Sequence, residues 1–343
     1  MADTRTIDVH AHILLEDTMR RMSKEAPDIG PKLSDIEEAH ARFSVDGLMQ
    51  HPFPRGAWDL ELRLRHMDEA GVDMQVLSNV PQTLMYDCEP ARGAALSAIQ
   101  NEAIAATVRG NPDRFMGIAT LPMQDPEQAA KELRRAMTEL GLRGAQIGSH
   151  VRGRNLDDPA LEPLWKTASE LGAFILVHPQ KIAGENRQTS FYLRNLVGNP
   201  LDTTIAAASL VFGGVLERYP DLKFCLSHGG GFVPYQTGRW IHGWNVRPEP
   251  QQRLKVSPEA SIRRLYFDCI LHFEPALHYL VDTFGADHVL LGSDYPFDMG
   301  MLDCVKQIRA FKASQEVRDT ILNRNAERLL GESQGQARQA ARS

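Results

Sequence analysis

Ile7-Asp8-Val9-His10-Ala11-His12 is the most informative stretch of this 343-residue sequence. In an extended strand successive side chains point to opposite faces, so His10 and His12 project the same way. Two imidazoles on one face can bind a single metal ion. The stretch therefore predicts part of a metal site, whose remaining ligands lie farther along the chain.

Eight short segments rich in Val, Ile, Leu and Phe recur along the chain, each followed by a stretch of helical character. This alternation is typical of a parallel sheet, and eight strands close a barrel. We therefore predict an α/β fold, a (β/α)8 TIM barrel forming a single domain over residues 1–330. The predicted strands are residues 6–9, 74–78, 115–121, 144–147, 174–177, 223–227, 265–268 and 289–292.

Two connections are too long for simple turns. Residues 13–57 follow the first strand and are rich in proline and charge, so we predict an insertion that forms a lid over the barrel mouth. Residues 179–200, after the fifth strand, form the second long connection. The small, polar and basic segment 331–343 is predicted to be a flexible tail.

The composition narrows the class of protein. Hydrophobic residues make up 43% and charged residues 24%, as in globular proteins with a sizeable core. A net charge of -6 argues against nucleic acid or an anionic membrane as partner. The longest apolar runs are shorter than a membrane span, and the first residues lack a signal-peptide core, which favours the cytoplasm. Four cysteines without C-x-x-C spacing indicate reduced thiols.

Metal-competent side chains stand where several predicted strands end. In barrels of this kind the carboxyl ends of the strands carry the chemistry, because the loops that begin there meet at one rim. A single histidine at a strand end is usually a hydrogen-bonded rim residue, and a lone aspartate can cap a turn. The combination points instead to one site, which contains His10, His12, His178, His228 and Asp294.

His10, His12, His178 and Asp294 are the predicted metal ligands. Three imidazoles and one carboxylate, with solvent in the remaining position, are typical of a catalytic zinc site, although Mn²⁺ or Fe²⁺ would also fit. A two-metal site would require a bridging group, often a modified lysine, on the fourth strand. That strand contains no lysine, so we predict one metal ion per subunit.

His228 is then a surplus imidazole close to the metal. A bound metal lowers the pKa of its water to about 7, and imidazole exchanges protons in the same range. We predict that His228 is the general acid and base and that Asp294 is both ligand and catalytic residue. Three glycines follow His228 and would let a substrate approach closely, although a plain tight turn explains them equally well.

The ordered set of motifs resembles the amidohydrolase superfamily, and more narrowly its branch around aminocarboxymuconate-semialdehyde decarboxylase. The resemblance runs from about residue 5 to residue 330. It rests on Asp8-x-His10-x-His12, His178-Pro179, His228-Gly229-Gly230-Gly231, Gly238-Arg239, Leu291-Gly292-Ser293-Asp294-Tyr295-Pro296 and Asn325-Ala326-x-Arg328-Leu329.

The resemblance implies the same metal ligands and the same role for His228. It also implies a homodimer, in which Arg239 reaches the neighbouring subunit's site and binds a substrate carboxylate. Arg55, shortly before a Trp-Asp pair, matches a second arginine of the family at a different spacing. Phe191 lies in the loop where the decarboxylase carries a tryptophan near its substrate, and we predict that Phe191, like Arg55 and Arg239, binds the substrate. This chain therefore differs from the decarboxylase at a position that bears on substrate identity.

Non-oxidative decarboxylation of a small unsaturated or aromatic carboxylic acid is the function that the sequence favours. The metal would hold substrate or water, and His228 would transfer a proton. A hydrolase of a lactone, amide or ester, or a hydratase of the same superfamily, would use the same site. A catalytically silent binding subunit is the third alternative, against which the intact ligand set argues.

Overall fold

A computed structural model describes residues 4–331, and its central feature is a ring of parallel strands. The predicted tail lies outside these residues except for Gly331. The strands are β1 (Ile7–Ile13), β2 (Lys32–Ser34), β3 (His40–Val45), β4 (Leu48–Pro54), β5 (Met74–Asn79), β6 (Phe115–Gly117), β7 (Ala119–Thr120), β8 (Gly144–Gly148), β9 (His150–Val151), β10 (Arg154–Asn155), β11 (Phe174–His178), β12 (Lys223–Leu226), β13 (Tyr266–Asp268) and β14 (Val289–Leu290).

Thirteen helices surround the ring within residues 4–331. They are α1 (Glu16–Glu25), α2 (Leu60–Ala70), α3 (Pro90–Gly110), α4 (Pro126–Thr138), α5 (Glu162–Leu171), α6 (Asn199–Phe212), α7 (Val215–Arg218), α8 (Val233–Val246), α9 (Glu259–Ile262), α10 (Glu274–Phe284), α11 (Cys304–Ala310), α12 (Gln315–Asp319) and α13 (Asn325–Leu330). No helix in this part of the chain is both long enough and apolar enough to cross a bilayer.

The ring is closed, as the sequence predicted. One sheet has the order β1-β5-β6 and the other β14-β13-β12-β11-β8-β7, all parallel. Short β6 and β7 continue one another as the third strand of the barrel, and the amide of Ile118 between them donates to Leu77 O at 2.9 Å. The other junction joins β1 to the residues after β14, where Val9 N donates to Leu291 O at 2.9 Å and Asp294 N to His10 O at 2.8 Å.

Apolar side chains cover both faces of the strands, which explains their nearly continuous hydrophobic sequence. An inner cluster fills the barrel and is sealed by α13; it includes Val9, Val76 and Leu176. The larger outer cluster packs the strands against the helices and includes Ile175 on β11 and Trp165 on α5. His178 shares the inward facing of Leu176, because residues two apart on a strand point the same way.

A bulge in β1 changes the direction of its side chains. Asp8 pairs with Gln75 and Ala11 pairs with Leu77, so β1 advances three residues while β5 advances two. One extra residue on one strand re-aims the side chains that follow it. In a regular β1, His10 would face away from the interior that Val9 occupies.

Residues 13–57 form a small substructure beside the barrel. Strands β2, β3 and β4 make an antiparallel sheet, and α1 packs with them around an apolar cluster that also contains Val80 and Leu96 of the barrel. Phe53 is central to that cluster, stacked on Phe43 at 4.4 Å and on Trp58 at 5.5 Å between ring centroids. The segment is therefore packed onto the barrel through a shared apolar cluster. Its action as a lid stays a prediction.

Gly144 at the start of β8 allows two barrel strands to approach each other. Its φ is +151°, and a Cβ there would lie 1.8 Å from Phe174 O. We expect Gly144→Ala to lower the free energy of unfolding by about 3 kcal/mol or more, because backbone must move to admit the methyl group. The midpoint of urea unfolding measures the loss.

Gly110→Ala is the matched control, because a Cβ at the end of α3 meets nothing within 4 Å. That change should alter stability by less than about 1 kcal/mol, in the stabilising direction. Equal stability of the two variants would contradict the close approach of β8 to β11.

Candidate metal centre and active site

The structure brings the four predicted ligands together at the carboxyl ends of the barrel strands. His10 and His12 come from β1, His178 ends β11, and Asp294 lies four residues after β14. One ligand atom from each lies within 4.8 Å of those of the other three, and all four residues are buried.

The spacing of these atoms suits one ion. His10 Nε2 lies 3.0 Å from His12 Nε2, and Asp294 Oδ1 lies 3.0 Å from His12 Nε2 and 3.4 Å from His10 Nε2. Ligands that bind one metal at about 2.0–2.2 Å lie roughly 3.0–3.5 Å from each other in tetrahedral geometry. The residues present therefore fit a divalent metal ion.

Hydrogen bonds on the far side of each ring prepare the histidines for this role. His10 Nδ1 donates to Asp268 Oδ2 at 2.7 Å, and His12 Nδ1 donates to the carbonyl oxygen of Asn79 at 3.3 Å. His178 Nδ1 donates to the carbonyl oxygen of the next residue at 2.9 Å. Ser78 Oγ lies closer to His12 Nδ1, at 3.0 Å, and it can accept there because its own hydrogen is donated to Ala11 O at 3.1 Å. Because all these oxygens act as acceptors, each ring carries its proton on Nδ1 and keeps the lone pair on Nε2 for a metal.

The charge states also suit a metal. Burial lowers the pKa of His12 to about 4, with His10 acting in the same direction. Burial and the neighbouring imidazoles also lower the pKa of His178 well below its ordinary value. Burial acts to raise the pKa of Asp294, but the adjacent histidines outweigh it and hold that pKa well below the ordinary value. Neutral imidazoles and an ionised carboxylate are the forms that bind metal.

His10 differs from the other two histidines. Burial acts to lower its pKa, but the charge of Asp294 and the hydrogen bond to Asp268 outweigh burial, so the pKa of His10 is raised.

A second feature of the cluster is that Asp294 Oδ1 is buried and has no hydrogen-bond partner among residues 4–331. A buried carboxylate oxygen without a partner is costly, and a bound cation would satisfy it.

His228 stands beside the four ligands. It follows β12, and its Nε2 lies 3.5 Å from Asp294 Oδ2. Its side chain is 16% exposed, whereas those of His10 and His12 are 0% exposed. His228 adopts a left-handed φ of +55°, which turns the chain sharply at the strand end. The ring is therefore next to the metal ligands and open to the cavity above them.

Two buried carboxylates fix the surrounding backbone. Asp8 accepts from the amides of His10 and Ser293, at 3.1 and 3.0 Å, and from Gln75 Nε2 at 3.0 Å. Burial nonetheless raises the pKa of Asp8. Asp268 contacts both His10 and the turn at His228.

A cavity of about 740 Å³ opens above the cluster. His178, His228 and Asp294 contribute to its wall. The other lining residues come mainly from the 13–57 segment and the long connection after β11, and include Val45, Asp46, Leu48, Met49, Gln50, His51, Pro52, Tyr86, Asp87, His150, Arg152, Gln180, Lys181, Tyr192, Arg194, Asn195, Asn199 and Asp298.

Arg152 is a cavity residue that the sequence analysis missed. Its Nε donates to Tyr86 O at 2.7 Å and its Nη2 to Cys88 O at 2.7 Å, so carbonyl oxygens hold the guanidinium. The other basic side chains there face carboxylates: Lys181 pairs with Asp87, and Arg194 with Glu185. Arg152 belongs to no recognisable sequence motif. Its position in the cavity depends on how the loops pack together, which the sequence did not indicate.

The three predicted substrate-binding residues lie outside the lining of this cavity in a single chain. Arg55 pairs with Asp59, its Nε lying 2.9 Å from Oδ2. Phe191 is 87% exposed, and its neighbour Tyr192 lines the cavity. Arg239 lies on the exposed side of α8, which is where a residue serving a neighbouring subunit would lie. The roles of all three stay predictions.

Comparison with known proteins gives a family match over nearly the whole chain. Residues 7–331 match the family Amidohydro_2, described as amidohydrolase. A 2-amino-3-carboxymuconate-6-semialdehyde decarboxylase of Dictyostelium discoideum is 38% identical over 329 residues, which cover 95% of this chain and 91% of that protein.

Solved structures share the fold. The crystal structure of 5-carboxyvanillate decarboxylase from Sphingomonas paucimobilis matches with a TM-score of 0.82 at 24% identity, covering 96% of this chain and 99% of the other. A dihydroxybenzoic acid decarboxylase from a Polaromonas species, solved with bound manganese and the inhibitor 2-nitroresorcinol, matches with a TM-score of 0.78 at 23% identity, covering 96% and 97%. At these identities the likeness shows the barrel architecture.

Removal of one ligand should abolish metal binding. We expect His178→Ala to lower the affinity for Zn²⁺ or Mn²⁺ by more than about 100-fold, because loss of a direct ligand exceeds the 10–100-fold cost of losing an outer hydrogen-bond partner. Elemental analysis of the purified protein and titration against a competing chelator measure the change.

A second cluster, Glu37, His40 and His51, supplies the matched control. This cluster is largely exposed. The variant His40→Ala removes a histidine from it and leaves the predicted centre intact. His40→Ala should keep the wild-type metal content. Metal retained by His178→Ala, or lost from His40→Ala, would contradict the assignment of the centre.

Proposed function

The chain belongs to the amidohydrolase family, and from that premise we propose that it is a metal-dependent decarboxylase of a small unsaturated or aromatic carboxylic acid. The predicted enzyme class, a decarboxylase of this superfamily, is confirmed by the relatives. The observation that carries the mechanism is the position of His228. Its Nε2 lies 3.5 Å from the Asp294 carboxylate and its ring opens onto the cavity.

One divalent ion held by His10, His12, His178 and Asp294 is part of the proposal. Zn²⁺ is the ion predicted from the donor set, and Mn²⁺, present in a protein of the same fold, suits the set as well. When bound, the ion would act as a Lewis acid that orients and polarises an oxygen of the substrate. A single ion is supported by the fourth barrel strand, which has no lysine that could bridge two ions. Its buried Gln146 instead donates a hydrogen bond to the carbonyl of Asn79 at 3.0 Å.

His228 would carry out the proton transfer. In its protonated form it donates a proton to the carbon that bears the carboxylate. The bond between that carbon and the carboxylate then breaks, CO₂ leaves, and the electron pair of the broken bond restores the double bond. Carboxylate and proton become CO₂ and a C–H bond, so no oxidant is required. His228 regains its proton from solvent, which reaches its side chain through the cavity.

The substrate carboxylate would be bound partly by a second copy of the chain. We propose a homodimer in which Arg239 on α8 enters the neighbouring cavity and pairs with the carboxylate. Two exposed aromatic side chains support an interface: Tyr235, one turn before Arg239 on the same helix, is 80% exposed, and Phe191, the neighbour of the cavity residue Tyr192, is 87% exposed. Aromatic side chains are enriched at protein interfaces relative to the rest of the surface.

The leading substrate candidate is 2-amino-3-carboxymuconate-6-semialdehyde, the substrate named for the 38% identical relative. Hydroxybenzoic acids are the second class, named for more distant relatives and for proteins of the same fold. Assay of CO₂ release across both classes, with lactones as a hydrolase control, would identify the substrate. The Tyr192 and Gln180 side chains that line the cavity are where this chain would set its preference.

Loss of the His228 imidazole should stop turnover without removing the metal. We expect His228→Ala to lower kcat by about 10²–10⁴-fold, the usual contribution of a general acid or base, while the metal content stays at the wild-type value. Steady-state CO₂ release and elemental analysis of the same preparation measure both quantities.

His150→Ala is the control, because His150 also lines the cavity but lies outside the ligand cluster. Its kcat should stay within about tenfold of wild type. Full activity of His228→Ala would refute the acid and base role, and loss of metal from that variant would make His228 a ligand instead.

Sharing of Arg239 between subunits predicts complementation in mixed dimers. His228→Ala and Arg239→Ala should each be inactive as pure dimers. In a mixed dimer one site combines an intact His228 with the partner's intact arginine, so random equimolar exchange should restore about a quarter of wild-type activity. Activity after denaturant-assisted subunit exchange measures the recovery.

The control pairs His228→Ala with Asp294→Ala, two losses that both affect the site of the same chain. No mixed dimer then contains an intact site, so the mixture should stay inactive. Failure of His228→Ala and Arg239→Ala to complement, with exchange verified by mass spectrometry, would contradict the shared site.

A further inference from the structure

Asp268 is a fully buried carboxylate at the end of β13 that accepts four hydrogen bonds. Its Oδ2 accepts from His10 Nδ1 at 2.7 Å and from His228 N at 2.9 Å. Its Oδ1 accepts from Gly229 N at 2.8 Å and from Ile270 N at 3.1 Å. One side chain thus contacts a metal ligand and the backbone of the proposed acid and base.

We propose that Asp268 is a positioning residue that sets both the metal-binding tautomer of His10 and the placement of His228. The inference rests on the proposed function and extends it, because it names the group that couples the metal ligand to the proton donor. Asp268 does not line the cavity, so it would act through these two histidines and not on the substrate.

The contact with His10 depends on acceptor chemistry. Both oxygens of Asp268 already accept backbone N–H groups, so the side chain is an acceptor at this contact, the hydrogen belongs to His10 Nδ1, and the lone pair of His10 lies on Nε2. That Nε2 is the atom 3.0 Å from His12 Nε2 in the ligand cluster. A group that donated a proton at this place would force His10 to protonate Nε2 and give up its ligand atom.

The contact with the turn holds an unfavourable backbone. His228 has a φ of +55°, in the left-handed region that residues with a side chain seldom adopt, and Gly229 follows at +61°. Both amides of this pair donate to Asp268. Two charge-assisted hydrogen bonds therefore fix the turn that directs the His228 ring toward Asp294.

The variant Asp268→Asn should affect the backbone donors and the His10 ring donor differently. An amide has one oxygen and one NH₂ group, so it can replace only one of the two carboxylate oxygens as an acceptor. The amides of Gly229 and Ile270 belong to the backbone and can only donate, whereas His10 can change tautomer. We expect the amide oxygen at the Oδ1 position and the NH₂ at the Oδ2 position, facing His10 and the amide of His228.

The experiment measures two quantities in that variant. Metal affinity, from chelator competition with Zn²⁺, should fall by about 10–100-fold, as for loss of other outer-sphere partners of metal-binding histidines. At saturating metal, kcat should still fall by at least about fivefold, because the amide of His228 has lost its acceptor. A loss of less than about fivefold in either quantity overturns the proposal.

Asp202→Asn is the matched control for metal affinity. Asp202 is also a buried carboxylate, which accepts from Ser149 Oγ and from the amide of Ala183 but contacts no ligand of the cluster. The Asp202→Asn variant should bind Zn²⁺ with the wild-type affinity. A purely structural role of Asp268 would lower the melting temperature and leave metal affinity unchanged in the folded fraction.

A second measurement tests the claim if Asp268→Asn does not fold. In the wild-type protein labelled with [¹⁵N]histidine and loaded with Zn²⁺, the ring signals of His10, assigned by their loss in His10→Asn, should show a protonated Nδ1. A protonated Nε2 overturns the proposal. Metal affinity and ring shifts do not depend on the substrate, so failure of the decarboxylase proposal would show separately, as wild-type protein that binds metal but releases no CO₂.

Discussion

The closure of the barrel between β1 and the residues after β14 is the constraint on which the site depends. Here Asp294 N donates to His10 O at 2.8 Å and His12 N donates to Tyr295 O at 2.7 Å. These bonds place the first two predicted metal ligands beside Asp294, although 284 positions separate residues 10 and 294. Because the ring cannot close without this pairing, a folded barrel brings His10, His12 and Asp294 together as a consequence.

Two buried carboxylates, Asp8 and Asp268, lie near this closure and accept hydrogen bonds from several strand ends. Asp8 accepts from β5 through Gln75 and from Ser293 beside the fourth ligand, while Asp268 accepts from β1 and from the turn after β12. Buried carboxylates are costly unless hydrogen bonds satisfy them, so each ties neighbouring strand ends together. The Asp294 Oδ1 atom, which lacks such partners among the described residues, is the exception, and it is the atom that points to a cation.

The sequence predicted the barrel and its ligand-bearing strands because strand ends with metal-competent residues follow a simple pattern. It did not predict the bulge in β1, since the register shift depends on β5, more than 60 residues away. Nor could it decide the role of Asp268, whose partner His10 is 258 positions distant. Helix α3 fits the predicted alternation of strand and helix, with an alanine-rich sequence and an N-cap at Glu89. Arg55 pairs with Asp59 and lies outside the cavity lining of a single chain, so its contact with substrate stays a prediction.

Anomalous diffraction from crystals grown with Mn²⁺ or Zn²⁺ would test the central claim most directly. A metal held by His10, His12, His178 and Asp294 should give one strong peak per chain, about 2.0–2.3 Å from the three Nε2 atoms and a carboxylate oxygen of Asp294. The ring of His228 should lie next to the peak but beyond bonding distance. A peak elsewhere, or none at these four residues in metal-loaded crystals, would contradict the account.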